Sequence, residues 1–151
     1  HVHRETQYRE GRRAHAPEPM PIHFDDTVPP NILITITGKV DAEEYDSYHD
    51  VLRKRMLAAR AARMKLGIIV DGRSSTPPGA KERKRMAEFL EENEALLAET
   101  VAGQVIVLSN ALQRGVLTAI LWVRPFPMPH YLASSREEGM AWLATLRREA
   151  A

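Results

Sequence analysis

The sequence predicts an α/β domain: a mostly parallel sheet of about five strands, opened by a hairpin and carrying four helices. Three observations carry this expectation. Short β-branched or apolar segments alternate with longer stretches whose apolar residues recur at helical spacing. Two of the short runs, Leu66–Asp71 and Gln104–Ser109, are continuously apolar, the pattern of strands buried on both faces as parallel strands are. Strand and helix keep alternating to the end of the chain, which implies a parallel sheet with right-handed crossovers.

Ile22–Thr27 and Asn31–Val40 are the two arms of the expected hairpin, separated by Pro29-Pro30-Asn31. In the second arm Ile32, Ile34 and Ile36 alternate with Leu33, Thr35 and Thr37, so one face is apolar. Asp41 caps the first helix, with Glu44 in the capping-box position, and Tyr45, Tyr48, Leu52, Met56 and Ala59 form its inward stripe to about Met64. After the strand Leu66–Asp71 comes a loop, Gly72–Gly79, rich in Ser, Pro and Gly. The second helix is expected over Ala80–Ala98, with Met86, Phe89, Leu90, Asn93 and Leu97 on one face. Asn110 caps the third helix, whose inward stripe reads as Leu112, Val116, Ile120 and Val123. The prolines of Arg124–Pro129 exclude helix there. His130–Ala133 is a short last strand, and Ser135 with Glu138 opens a final helix burying Met140, Leu143 and Leu146. Trp122, Phe126 and Trp142 are expected in the core.

Residues 1–21 have few large apolar side chains and several Arg and Pro, and read as a tail or linker before a domain over 22–151. The chain has 151 residues, 44% hydrophobic and 27% charged, which suits one domain able to bury a core unaided. It contains no cysteine, so disulfides, thiolate metal sites and cysteine nucleophiles are excluded, and a cytoplasmic location fits. The net charge of +1 demands neither nucleic acid nor a membrane surface, and no apolar run approaches the ~20 residues of a spanning helix. The histidines have no metal-ligand spacing, and no phosphate-binding glycine loop or nucleophile elbow occurs. No metal and no cofactor are expected.

The segments ITITGKVDAEEYDSY, LGIIVDGR, RMAEFLEENEALLAETVAGQVIVLSN and YLASSREEGMAWL resemble in order and pattern the STAS (anti-sigma-factor-antagonist-like) superfamily, in its SpoIIAA-like branch. The likeness covers roughly 22–146. It implies a non-enzymatic regulatory or ligand-binding module. STAS domains of the sigma-regulating type carry a phosphorylatable serine beside an aspartate at the start of the second helix. Asp71 matches the strand-end aspartate, but no Asp-Ser-Ser-Gly follows it. Ser74 and Ser75 lie in the corresponding loop in a different context and are the candidates for phosphorylation.

Helix charges single out one place. Helix N-termini carry partial positive charge and favour acids, and C-termini favour bases. The first helix obeys, with Asp41, Glu43, Glu44 and Asp46 early and Arg53, Lys54, Arg55, Arg60 and Arg63 late. The second is reversed: Lys81, Arg83, Lys84 and Arg85 begin it, and Glu91, Glu92, Glu94 and Glu99 lie late. One reading is an anion or partner site made by Arg73, Ser74, Ser75, Lys81, Lys84 and Arg85 with the free N–H groups of the helix start. The other is a solvated helix with unoptimised surface charge. Asp71, Asn110 and Ser134 stand at successive strand ends, where open α/β sheets bind ligands; each is also a natural cap or turn former.

The leading functional expectation is a non-enzymatic interaction module acting through residues 72–85 on a protein partner, a second copy of the chain included. The alternative is a carrier of a small anionic or lipid ligand, which needs an apolar cavity of roughly 300 Å³. No complete catalytic constellation supports an enzyme.

Overall fold

In the computed structural model of the chain, which describes residues 20–150, the alternating segment Asn31–Gly38 is a strand (β2) with Ile32, Ile34 and Ile36 buried. Met20 and Pro21 apart, the expected N-terminal tail lies outside the described residues. β1 (Ile22–Asp25) pairs antiparallel with β2, Ile22 opposite Ile36 and Asp25 opposite Leu33, so the expected hairpin forms. β3 (Leu66–Ser75), β4 (Val101–Val107) and β5 (His130–Ala133) follow in parallel, giving a five-stranded sheet in the order β1-β2-β3-β4-β5. β2 leaves the sheet through Gly38, whose φ of +69° lies in the left-handed region that glycine enters without penalty.

One sheet face is covered by α1 (Ala42–Ala61), α2 (Ala80–Glu92) and α3 (Glu94–Thr100). Ile32, Ile34, Ile68 and Val70 meet Leu52, Met56, Leu90 and Leu97 there. α5 (Arg136–Ala150) covers the other face, where Leu143 packs with Ile69, Val105, Val107 and Ala133. β3 and β4 are therefore buried on both faces, as their unbroken apolar runs require. Full burial of side chains such as Ile34, Met56, Ile68 and Leu143 contributes roughly 1.5–3 kcal/mol each.

Four local features depart from the sequence-based expectations. β3 runs on to Ser75, absorbing the first half of the expected loop. β4 starts at Val101, despite the weak strand formers Ala102 and Gly103. At Gly103 a Cβ would lie 2.6 Å from Leu146 and 2.9 Å from Trp142, so the missing side chain admits α5 to the sheet. The expected second helix breaks at Asn93, so the described residues hold five helices where four were expected. Asn93 Nδ2 donates to the Phe89 carbonyl at 3.0 Å while Oδ1 accepts from Arg53 Nε at 3.2 Å, a side-chain competition that ends the first segment.

The fourth departure is the phase of α4 (Ala111–Val123). Leu112 and Val123 point outward and Trp122 is 85% exposed, whereas Gln113, Val116, Leu117 and Ile120 face inward. Gln113 sets this rotation. Its amide donates to the carbonyls of Gly72, Arg73 and Ser75 at 3.0, 3.2 and 3.1 Å, drawing that face of the helix toward the end of β3. Met140 in α5 is likewise exposed, while Trp142 stacks on Tyr131 with ring centroids 5.5 Å apart.

Candidate functional site

Because α4 packs chiefly against α2, a space remains between it and the sheet. The result is a cavity of about 140 Å³. Its floor is Ile36, Val70, Ile106 and Leu108, its roof Val116, Leu117 and Ile120, and its side wall comes from α1 and α2. No Lys, Arg, Asp or Glu lines it. The volume is half of what a drug-sized ligand takes, but close to the ~150 Å³ of an apolar cavity that admits benzene. It therefore falls short of the 300 Å³ set for a lipid carrier and suffices for a small molecule.

Polar groups reach the cavity mainly from one stretch of α1. Tyr45, Tyr48 and His49 sit at i, i+3 and i+4, one helix face. The Tyr48 and His49 ring centroids are 5.1 Å apart, and His49 stacks on Phe89 at 4.2 Å with planes 6° apart. Burial pushes the His49 imidazole down to about 4, against the opposing pull of Asp46, so it is neutral at pH 7. Burial pushes the Tyr45 hydroxyl up to about 12, assisted by Glu82, and raises Tyr48 too, so both phenols stay protonated. His49 also borders a polar groove on the outer side of α1 and α2, lined by Asp46, Asp50, Arg53, Arg85, Glu88 and Glu92.

At the strand ends, Asp71 is only 4% exposed. Its Oδ1 accepts from Arg73 Nε at 3.0 Å and from the Arg73 backbone at 3.2 Å; its Oδ2 accepts from Arg73 Nη2 at 2.8 Å and Arg136 Nε at 2.7 Å. Arg136 also donates to Thr35 at 3.3 Å. Burial alone would raise the Asp71 carboxyl, but the hydrogen bonds from Arg73 and Arg136 outweigh it and hold it at about 2. The carboxylate thus ties β3 to β2 and to the first turn of α5. Asn110 caps α4, accepting from the Gln113 backbone at 2.9 Å, and Ser134 accepts from Arg114 at 3.1 Å. Asp71, Asn110 and Ser134 lie at the ends of adjacent strands, and each already has a partner within the chain.

No protein-family model matches the chain, and no curated protein matches it significantly. Solved structures do. A Shewanella loihica protein described as having a SpoIIAA-like fold superposes with a TM-score of 0.60, at 11% identity over 81% of this chain and 91% of that one. An anti-sigma factor antagonist from Mycobacterium paratuberculosis superposes with a TM-score of 0.57, at 14% identity over 85% of this chain and 97% of that one. The fold is SpoIIAA-like.

On this SpoIIAA-like frame α1 and the α2–α3 pair are neighbouring crossover helices on one sheet face, so they run in the same direction. Asp46 accepts from Arg85 at 2.7 Å, Asn93 from Arg53 at 3.2 Å, and Arg60 lies 4.0 Å from Glu99. The α1 members, 46, 53 and 60, recur every seven residues, which keeps them on the side facing the partner helices. The reversed charges of α2 and α3 are thus complementary to those of α1. At its own N-terminus, α2 has a carboxylate too: Glu82 Oε2 lies 2.8 Å from where a Cβ on Gly79 would stand. Arg83 donates to the Pro78 carbonyl at 2.9 Å.

The remaining members of the expected anion site are divided. Arg73 is engaged with Asp71, and the Ser75 hydroxyl donates to the Gly72 carbonyl at 2.7 Å. Lys84 has only a 4.0 Å approach to Glu88. Ser74 is exposed, and neither its hydroxyl nor the ammonium of Lys81 has a partner among the described residues. The sequence reading missed Gln113 and Arg136. Gln113 had a usable signal, since Asn110-x-x-Gln113 is a capping-box spacing; Arg136 had none. Among the described residues no group of acidic and histidine side chains is placed to hold a metal, and no helix is long and apolar enough to cross a membrane.

Proposed function

We propose that the chain is a non-enzymatic binding module that takes a small apolar molecule into the cavity beneath α4. The observation that carries this reading is the cavity itself: about 140 Å³, walled by apolar side chains from the sheet, α1, α2 and α4, and free of charged residues. Apolar surface of this kind gains from any fitting apolar guest that displaces water from it. The test is thermal unfolding of the whole chain with toluene. At ten times its dissociation constant toluene adds about 1.4 kcal/mol, a rise of roughly 3–5 °C for a domain of this size. Val116→Phe, which enlarges a roof residue, is expected to remove the rise. An unchanged melting temperature across toluene and similarly sized hydrocarbons would count against the reading.

A second reading is a protein-interaction module acting through residues 72–85. Exposed Ser74 and the basic side chains Lys81 and Lys84, none strongly engaged within the chain, support it. The same segment supplies Gly72, Ser75, Pro77 and Pro78 to the cavity wall, so the two readings share a structural element. Lys81→Glu with Lys84→Glu is expected to cut recovery of a host partner several-fold while leaving the melting temperature within about 1 °C, since surface substitutions change stability little. Equal recovery by both forms would set this reading aside. Arg85 is left intact because Asp46 depends on it.

A further inference from the structure

The cavity is not uniformly apolar, and its polar exceptions point to the chemistry of its guest. Of its polar side chains, Gln113 and Ser75 are spent on backbone carbonyls, while half-buried Gln104 has no side-chain hydrogen bond among the described residues. Tyr45 is the most buried of the unpaired ones. It is only 4% exposed, it lines the cavity, and its hydroxyl has no hydrogen-bond partner among the described residues. Among the described residues no fully enclosed polar side-chain atom lacks a partner, so this hydroxyl is within reach of a water-sized molecule, and Tyr45 lines the cavity. A guest that offers the hydroxyl a well-placed partner is selected over one of equal size that displaces its water and leaves it unpaired. Tyr48 and His49 stand beside it, ring centroids 5–6 Å from one another where they meet, and neither has a hydrogen-bond partner among the described residues.

Charge limits the guest from the other side. None of the lining residues is Lys, Arg, Asp or Glu, so an ionised head group would enter with no counter-charge, a desolvation penalty of several kcal/mol. Size limits it further: about 140 Å³ holds a single ring or a short chain.

We infer that the guest is a small uncharged molecule with an apolar body and one hydroxyl or carbonyl group, and that Tyr45, with Tyr48 and His49 at its side, binds that group. This inference rests on the binding reading proposed above. It is tested by titration calorimetry at pH 7 on the whole chain with 4-methylphenol, toluene and 4-methylbenzoate, which share one ring and differ in the group it carries. 4-Methylphenol is expected to bind about five-fold tighter than toluene, the worth of roughly one neutral hydrogen bond, and 4-methylbenzoate at least ten-fold more weakly than 4-methylphenol. In Tyr45→Phe the preference for 4-methylphenol over toluene falls to about one-fold while toluene affinity is kept. Because the Tyr45 hydroxyl bonds to nothing among the described residues, this variant is expected to melt like the parent, and Tyr48→Phe serves as the second variant, with a partial loss of preference. Toluene binding as tightly as 4-methylphenol, or 4-methylbenzoate matching it, overturns the inference and leaves the binding reading standing. A preference that survives intact in Tyr45→Phe overturns the role of Tyr45. Failure of all three compounds to bind overturns both.

Discussion

Asp71→Ala is expected to destabilise the chain by about 2–3 kcal/mol. The carboxylate joins three elements: it accepts from Arg73 on its own strand and from Arg136 at the start of α5, and Arg136 also reaches Thr35 on β2. Removing one partner of a buried charge network costs about 3–5 kcal/mol when the charges left behind are sealed from water. Here the Arg73 and Arg136 side chains are 38% and 39% exposed, so water rehydrates them in part and the loss is smaller. The pH dependence gives an independent check. The folded carboxyl titrates at about 2, below its unfolded value of about 3.9. Its contribution is therefore complete above about pH 5 and is lost as pH falls through 4 toward 2; discounted for solvent at the guanidinium edges, it amounts to about 2 kcal/mol. Urea unfolding of the parent and of Asp71→Asn between pH 2.5 and pH 7 measures it. The two curves should converge at the acid end and separate above pH 4. A constant separation would mean that the carboxylate charge contributes nothing and that only shape matters.

This network also shows what was legible in the sequence. The Ile32-Ile34-Ile36 alternation and the unbroken run Leu66–Asp71 record how many faces of each strand are buried, and that is a property of local pattern. The full capping box of Asp41 and Glu44 is local too. What failed locally was set from elsewhere in the chain. The phase of α4 follows from three carbonyls around forty residues upstream that draw Gln113 inward. The early start of β4 at Val101, ahead of Gly103, depends on Trp142 and Leu146 filling the space a side chain on Gly103 would take. The strand-end residue Asp71 stood out in the sequence, but its partner Arg136 lies 65 positions away and carries no motif.

The charge pattern of the second helix was legible as an anomaly and unexplained as to cause. Judged against its own dipole, a basic start and acidic end are unfavourable by roughly 0.3–1 kcal/mol per residue. Judged against a parallel neighbour, the same order is what α1 requires, because α1 places its acids first and its bases last. Each exposed pair contributes no more than about 1 kcal/mol, so the ladder sets the register between helices more than it sets stability. Of the expected anion-site residues, Ser74, Lys81 and Lys84 are the ones not strongly engaged among the described residues. The cavity was not legible at all, since it exists where α4 and the sheet fail to touch.

The second large effect concerns the wall of that cavity. His49 is held at about 4, chiefly by burial against Phe89 and the tyrosines, while Asp46 pulls the other way. The charged groups around it are Asp46, Asp50 and Arg53 on α1 and Arg85, Glu88 and Glu92 on α2. Their signs are mixed, and the two closest in register, Asp46 and Arg85, already pair with each other. The folded value lies below the unfolded value of about 6.5, so the unfolded chain binds the proton more readily between the two. Stability should then be complete above about pH 7.5 and fall as pH drops toward 4, by about 3 kcal/mol at most. His49→Phe keeps the ring stacked on Phe89 and removes the titration. Between pH 4.5 and pH 7.5 the unfolding free energy of this variant should be nearly flat where that of the parent rises. Parallel profiles would show that protonation at His49 is tolerated, and the cavity wall would then have to be wet on that side rather than dry.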